Sequence, residues 1–441
     1  MSPPVDSIVP SEKLPSEVDV VVIGGGIIGV STALFLARKG LTVLVCEKGR
    51  VGGEQSSRNW GWCRAMGRDF REIPLILESL RIWRGLGDMV GHDLGYRQCG
   101  ILYMCETKAE MDAYGPWLEH SERYQIGSRL ISPAQVQELI PGFARKIEGA
   151  LYTASDGRAE PSRAAPGIAR AVQALGGAVV TDCAVRTIER SGGRVSGVVT
   201  ERGTVRCRAA VLAGGAWSRL FAGNLGIDLP QLRVRSSVLR TTPVEGGPET
   251  SVYGDFAFRR RMDGGYSVAH GGVSISELTP EHFTLFGAFL PAAWKERKSL
   301  RLSFGKPFFE ALRTPKRWRS DEVTPFERTR VLDPAPSPRV LDEAMGRFRA
   351  SHPAFANAEV AESWAGMIDV TPDAVPVISE IDTTPGFFIA TGFSGHGFGI
   401  GPGAGKLMAD LVAGDDPVVD PAPFRFNRFR DGSKIVLDAG F

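Results

Sequence analysis

The run Val20-Val-Val-Ile-Gly-Gly-Gly-Ile-Ile-Gly29 carries an apolar strand straight into a glycine-rich turn. Few sequence features restrict a fold more. The strand must be buried, the turn must pass close to another backbone, and a helix must leave from it, over about residues 28–39. A second apolar run, Leu41-Thr-Val-Leu-Val-Cys46, ends at Glu47, eighteen residues beyond Gly29. Strand, turn, helix, second strand and terminal acid together form a dinucleotide-binding βαβ unit. Gly24 permits the tight turn, and Gly26 lets a pyrophosphate approach the backbone. Gly29 lets the helix lie close on the sheet. The first amides of that helix, around Ile27 and Ile28, point at the phosphates. Glu47, followed by Lys48, accepts hydrogen bonds from ribose hydroxyls. The unit fixes a nucleotide without saying which one.

With 441 residues, 43% of them hydrophobic, the chain can bury sizeable cores in two domains. A net charge of +2 gives no global attraction to nucleic acid. Six cysteines without a CxxC spacing argue against a zinc site or a disulfide framework, and for a reducing, cytoplasmic setting. Residues 1–16 read as an extended leader with no apolar core, and no stretch is long and apolar enough to be an integral membrane segment.

Further along, helices are expected over 71–89, 108–123, 132–140 (Ser132 as N-cap) and 168–175, the last after a loop punctuated by Pro161 and Pro166. Strands are expected at 100–105, 178–181, 185–190, 195–201, 205–213, 232–241, 266–273 and 386–391. Helices are also expected near 283–298 and 338–350, and a glycine-dense turn over 392–405 runs into a helix from about 403. The aromatic stretch 283–309 reads as core packing or a subunit interface, with a cover over the active site as the alternative. The ends look nucleotide-binding and the interior does not, so the chain is expected to weave twice between two domains.

Three more segments bear on the nucleotide. Gly52-Gly-Glu-Gln-Ser-Ser-Arg-Asn-Trp60 offers small residues and donors to a pyrophosphate. Arg208 to Ser218 is an apolar strand ending in Gly214-Gly215-Ala-Trp217. Thr391-Gly392-Phe-Ser-Gly395-His396-Gly397-Phe398-Gly399 would aim a helix N-terminus at a flat ring carrying negative charge when reduced.

In order and content these segments, over about residues 18–415, resemble the D-amino acid oxidase-like FAD oxidoreductases, which include glycine oxidase, sarcosine oxidase and D-amino acid dehydrogenases. The resemblance implies an α/β fold: a Rossmann-like FAD-binding domain (17–92, 150–226 and 352–425) interrupted by an antiparallel-sheet substrate domain (93–149 and 227–351). It implies oxidation of the C–N bond of an amino acid or a primary or secondary amine to an imine, by hydride transfer to flavin N5. The electron acceptor is O2, a quinone or another acceptor, and oligomers are possible. Carried over, Gly24, Gly26, Gly29 and Glu47 hold the ADP half. Ser56, Ser57, Arg58 and Asn59, with Trp60 beside them, run along the pyrophosphate and flavin edge. Val185 meets the adenine, and Gly395, His396, Gly397 and Phe398 flank the isoalloxazine.

One branch of the family places a substrate-binding arginine just after a Trp-Ala-Gly-Leu-like stretch, where this chain has Ile368. Another carries an arginine after the pyrophosphate loop, which Arg64 resembles. Arg64 is therefore the expected carboxylate clamp, with Arg259 or Arg260 as second choice. The cysteine that tethers flavin in sarcosine oxidase-like members has no counterpart near 366–369, so FAD is expected to be non-covalent. Their oxygen-activating lysine has none in 266–272. His270 is either a polar group facing the flavin or a hydrogen-bonded structural histidine, and His396 reads as positioning the ring rather than as a base. The alternatives are a flavoenzyme oxidising a 2-hydroxy acid, or a catalytically silent flavoprotein subunit or assembly factor.

Overall fold

The computed structural model describes residues 2–297 and 299–438. The expected helix end at residue 298 lies outside them. The strand Val20–Ile23 is fully buried at the centre of a six-stranded sheet, between Ala209–Leu212 and Val43–Cys46, parallel to both. Ala178–Val180 extends one side, and Phe387–Thr391 with antiparallel Val377–Glu380 completes the other. Strands buried on both faces need covering helices. Ile27–Arg38, Ile73–Val90, Pro161–Ala174 and Gly397–Ala413 share one core with that sheet.

The glycine-dense segment departs from its reading as a turn, because the helix begins at Gly397. Its glycines allow contact with neighbouring helices. A Cβ on Gly405 would lie 2.4 Å from Ser31 Cβ, and one on Gly403 would lie 2.8 Å from the Leu75 carbonyl oxygen. The Pro161–Pro166 stretch is also helical rather than a loop. Pro161 sits in the first turn and Pro166 lies inside the helix. Pro166 has no amide for the Ser162 carbonyl, and Asp6 of the leader donates to it instead, at 3.0 Å. The expected strand 205–213 divides: Gly203–Arg206 joins a three-stranded antiparallel sheet, and Ala209–Leu212 joins the parallel one. The 108–123 helix breaks into Lys108–Asp112 and Gly115–Arg123.

A ten-stranded mixed sheet, antiparallel in most of its pairs, forms the second layer and includes Ile101–Cys105, Gly149–Thr153, Leu232–Thr241, Phe256–Arg260 and Tyr266–His270. Val360–Val370, from a segment assigned by sequence to the nucleotide-binding part, pairs along Leu232–Thr241 of this sheet. It carries residues 367–369 to the boundary between the two sheets. The aromatic stretch is mostly not core: Phe283, Phe286, Trp294, Leu302 and Phe304 are each more than 60% exposed, and of its aromatic side chains only Phe289 is buried among the described residues.

Candidate active site

The turn after Val20–Ile23 is as tight as its glycines imply. Gly24 has φ +112°, and a Cβ there would lie 2.5 Å from the Ala213 carbonyl oxygen. The Gly25 amide donates to Glu47 Oε2 at 2.7 Å and the Gly49 amide to Oε1 at 2.8 Å, so the acid is held across the strand ends. Burial pushes the Glu47 carboxyl up, against the pull of Lys48 and of these amides. Ser56 stands over the start of the Ile27–Arg38 helix, where its Oγ accepts from the Ile27 amide at 2.8 Å. A Cβ on Gly26 would meet that Oγ at 3.0 Å.

These groups line a long cleft with Ile28, Gln55, Asn59, Val185, Gly214, Gly215, Trp217, Gly395, Gly397 and Phe398. Lys48 builds its wall. Its ammonium is bound to Glu54 (2.6 Å) and to the carbonyls of Thr329 and Arg330 (2.9 Å each), 4.5 Å over the Trp217 ring. The N-termini of two helices face this space, and it holds a carboxylate, an aromatic wall and a buried amide oxygen, Gln55 Oε1, that has no partner among the described residues. That donor and acceptor set fits a dinucleotide with a polar ring system. Sequence reasoning missed Phe326, Arg330, Val331 and Met367, which close the cleft from the second sheet's chain segments.

A second cleft meets the first at Gln55, Asn59, Ile368, Gly395 and Phe398, which line both. Its walls are aromatic (Trp60, Trp62, Tyr103 and Tyr253), and its arginines are Arg58, Arg64 and Arg68. Arg64 is half-buried, 5.6 Å over the Tyr103 ring, and donates to the Met66 carbonyl. Asp156 holds the backbone beside it, accepting from the amides of Ala65 (2.7 Å) and Met66 (3.2 Å). Burial pushes the Asp156 carboxyl up to about 6. His270 lines this cleft with both ring nitrogens engaged: Gly272 N–H is 3.1 Å from Nδ1, and Arg347 Nη1 is 2.8 Å from Nε2. Burial and Arg347 lower its pKa.

Arg259, the second choice for a substrate clamp, lines neither cleft. It is buried in a paired fork with Glu160 (2.7 and 3.2 Å), and its Nε donates to the Trp60 carbonyl. Arg58 is likewise spent on structure, donating to Asp333 and to the Ala365 carbonyl (both 2.8 Å) and to Ser2 Oγ at 2.9 Å. It anchors the loop to the long strand and the leader. Ser57, Gly29 and Gly392 also lie off the first cleft. Ser57 donates to the Glu54 carbonyl; a Cβ on Gly29 would fall 2.0 Å from the Gly24 carbonyl oxygen; Gly392 turns at φ +76° against Thr371. Trp60, His396 and Gly399 belong to the second cleft. Ile368 stands at the junction of the two, so the position where one branch carries arginine is on the site, and is apolar here. Asp369, unmarked in the sequence, ties this strand end to the loop before the Gly397–Ala413 helix, with Oδ2 accepting from the Gly392 amide at 2.6 Å.

A model of the family described as FAD dependent oxidoreductase matches residues 19–411. The chain belongs to that family. FAD is its cofactor, and the first cleft is the place in this fold that fits it. Sarcosine oxidase subunit beta from an Arthrobacter species is 26% identical over 427 residues, covering 95% of this chain and 92% of that protein. Human mitochondrial sarcosine dehydrogenase is 25% identical over 95% of this chain, which spans only 42% of that longer relative. Among solved structures, L-amino acid deaminase from Proteus myxofaciens, in complex with anthranilate, superposes with a TM-score of 0.94 at 34% identity, covering 98% of this chain and 97% of that one. The L-amino acid deaminase from Proteus vulgaris gives 0.91 at 30% identity, covering 96% and 100%. These relatives are amine and amino acid oxidoreductases. Among the described residues no helix is long and apolar enough to cross a membrane.

Proposed function

We propose that the protein oxidises the Cα–N bond of an L-α-amino acid to an imine, which water then hydrolyses, and that it holds FAD without a covalent bond. The parallel sheet and its helices serve as the FAD domain and the ten-stranded sheet as the substrate domain. The reading rests on one observation: Arg64 lies in an aromatic-walled cleft that opens onto the cofactor cleft at Gly395 and Phe398. A guanidinium there can fork onto a substrate carboxylate and turn Cα toward the cofactor, while Trp60, Trp62, Tyr103 and Tyr253 accept an apolar side chain. Bound FAD supplies the two-electron acceptor. Gly24, Gly26, Ile27 and Glu47 hold its ADP half with Val185 at the adenine, and Ser56 and Asn59 follow the pyrophosphate. Gly395, Gly397 and Phe398 flank the ring. The cysteine lining the cofactor cleft, Cys46, sits beside Glu47 at the ribose end, which supports non-covalent binding. The likeness to two L-amino acid deaminases favours an L-amino acid over an N-methyl one.

The test is anaerobic mixing of the holoenzyme with L-phenylalanine, D-phenylalanine, sarcosine and L-phenyllactate, followed at the visible flavin absorbance. Bleaching by L-phenylalanine is expected. Bleaching by phenyllactate alone would mark a 2-hydroxy acid enzyme, and an oxidised spectrum across the panel would sink the reading.

A further inference from the structure

Two buried polar atoms without a hydrogen-bond partner among the described residues, Glu72 Oε1 and Arg68 Nη1, belong to one cluster behind the second cleft. Glu72 is 0% exposed, Arg68 4% and His396 6%. His396 Nδ1 lies 3.3 Å from Glu72 Oε2, and Arg68 Nη1 lies 3.8 Å from the same oxygen. Arg68 Nη2 donates to the His396 carbonyl at 3.2 Å. Buried polar groups are nearly always paired, so two orphans in one place need a reason. Glu72 caps no helix with its side chain. The cluster has a route outward, because His396 lines the cleft and its Nε2 makes no hydrogen bond among the described residues.

Burial, with Arg68 and Arg64, holds His396 well below its ordinary pKa and therefore neutral. A neutral imidazole carries one ring proton. With that proton on Nδ1 and donated to Glu72, Nε2 presents a lone pair to the cleft. An amino acid arrives as an ammonium ion, yet hydride can leave Cα only when the nitrogen has a free lone pair. One proton must therefore find an acceptor in the site.

We propose that His396 and Glu72 take that proton together: Nε2 accepts it from the substrate ammonium while the Nδ1 proton passes to Glu72 Oε2. On the substrate one N–H bond breaks as one forms at Nε2, and the Nδ1–H bond breaks as an O–H forms on Glu72. No electrons change hands. The histidine ends neutral in its other tautomer, the carboxylate ends as a carboxyl, and the amine keeps its lone pair. His396 meets the substrate; Glu72 acts through it as a positioning residue and the final holder of the proton. The proposal rests on the amino acid reading above.

The groups facing Glu72 are Arg68, Asp69, Arg64 and Arg71; those facing His396 are Arg68, Arg64 and Asp69, with Tyr103 and Asp156 beside Arg68. Burial pushes the Glu72 carboxyl up to about 7 against the pull of Arg68, which makes it a competent acceptor near neutral pH. Asp156 already has its two backbone amides.

The test compares the holoenzyme with Glu72→Gln and Glu72→Asp in anaerobic flavin reduction by L-phenylalanine from pH 6 to 10. The unmodified enzyme is expected to slow as pH falls through about 7. Glu72→Gln is expected to be roughly 100-fold slower at pH 8 and to gain rate toward pH 10, with the inflection moved to that of the substrate's own ammonium. Glu72→Asp should restore both the rate and the neutral inflection in large part. Independently of turnover, the carboxyl C=O signal in infrared spectra at pH 6 minus pH 9 should lose the Glu72 component in Glu72→Gln and keep that of Asp156, whose carboxyl is pushed up to about 6. Full flavin loading and a cooperative thermal melt would show that the variants are folded. An unaltered pH profile in folded Glu72→Gln, or an infrared difference with no loss of carboxyl intensity, would overturn the relay while leaving amino acid oxidation intact. If no panel amine bleaches the flavin, both readings fall together.

Discussion

Two buried glutamates, Glu72 and Glu160, illustrate how much one neighbour decides. Burial pushes Glu160 up, but Arg259 outweighs it and holds the carboxyl down at about 2. That pair stabilises the fold above the unfolded-state value of about 4.3, and its contribution drains away as pH falls toward about 2. Arg259→Met strands Glu160 without its cation and is expected to cost about 3–5 kcal/mol, read by denaturant unfolding at pH 7. Glu72 has the opposite sign. Its folded pKa is raised to about 7, so its contribution is present below about 4.3 and is lost as pH rises through 7. Glu72→Gln is therefore expected to increase unfolding free energy at pH 9, by up to about 3 kcal/mol, while slowing reduction. A variant that is more stable at high pH and less active would separate a functional cost from a folding defect. Arg64 differs again, being half-buried and holding only a backbone carbonyl. Arg64→Met should leave stability within about 0.5 kcal/mol and lower kcat/KM for L-phenylalanine by about 10- to 100-fold, the worth of a charged hydrogen bond.

At the scale of elements, the helix Gly397–Ala413 runs against its own propensities. Each interior glycine costs about 1 kcal/mol relative to alanine, and this helix holds several. Contact with Ile27–Arg38 and Ile73–Val90 offsets that cost, because a Cβ on Gly405 or Gly403 would drive the helices apart. Gly405→Ala is expected to destabilise by about 1–3 kcal/mol, in spite of alanine's better propensity, and to weaken FAD binding by shifting the ring-facing end. A thermal melt with and without added FAD reads both effects. A stabilised Gly405→Ala would show that the helices have room to spare. The same reasoning explains why the segment looked like a turn: local sequence carries the propensity, and only a neighbouring helix shows what it is offset by. Pro166 is a similar case, since the group that satisfies the Ser162 carbonyl lies in the leader, far away in sequence.

For the whole molecule, the cofactor cleft draws on residues from near 23 to near 398, held on both sheets. Binding there ties the layers together. FAD at a hundred times its dissociation constant should raise stability by about 2.7 kcal/mol, so the melting temperature of deflavinated protein should climb with added FAD; a flat titration would contradict the assignment of the cleft. The exposed aromatic stretch lies outside this architecture. Replacing Phe286 or Trp294 by serine should change unfolding free energy by no more than about 0.5 kcal/mol, because neither side chain is buried.

What the sequence determined is what short-range geometry determines. A strand, three glycines, a helix and an acid within thirty residues leave one workable arrangement, and Gly24, Gly26, Ser56 and Glu47 stand as that arrangement requires. Arg64 was singled out by its closeness in sequence to that loop, and the fold places it in the second cleft. Tertiary structure alone decided which arginine is spent in a buried ion pair, because the carboxylate that takes up Arg259, Glu160, is about a hundred residues away in sequence. It alone brought Glu72, at the head of an ordinary amphipathic helix, beneath His396, more than three hundred residues away. Burial is the largest influence on the charge of both groups; Arg68 and Arg64 are close in sequence to Glu72 but distant from His396, and the burial is not written in any local pattern.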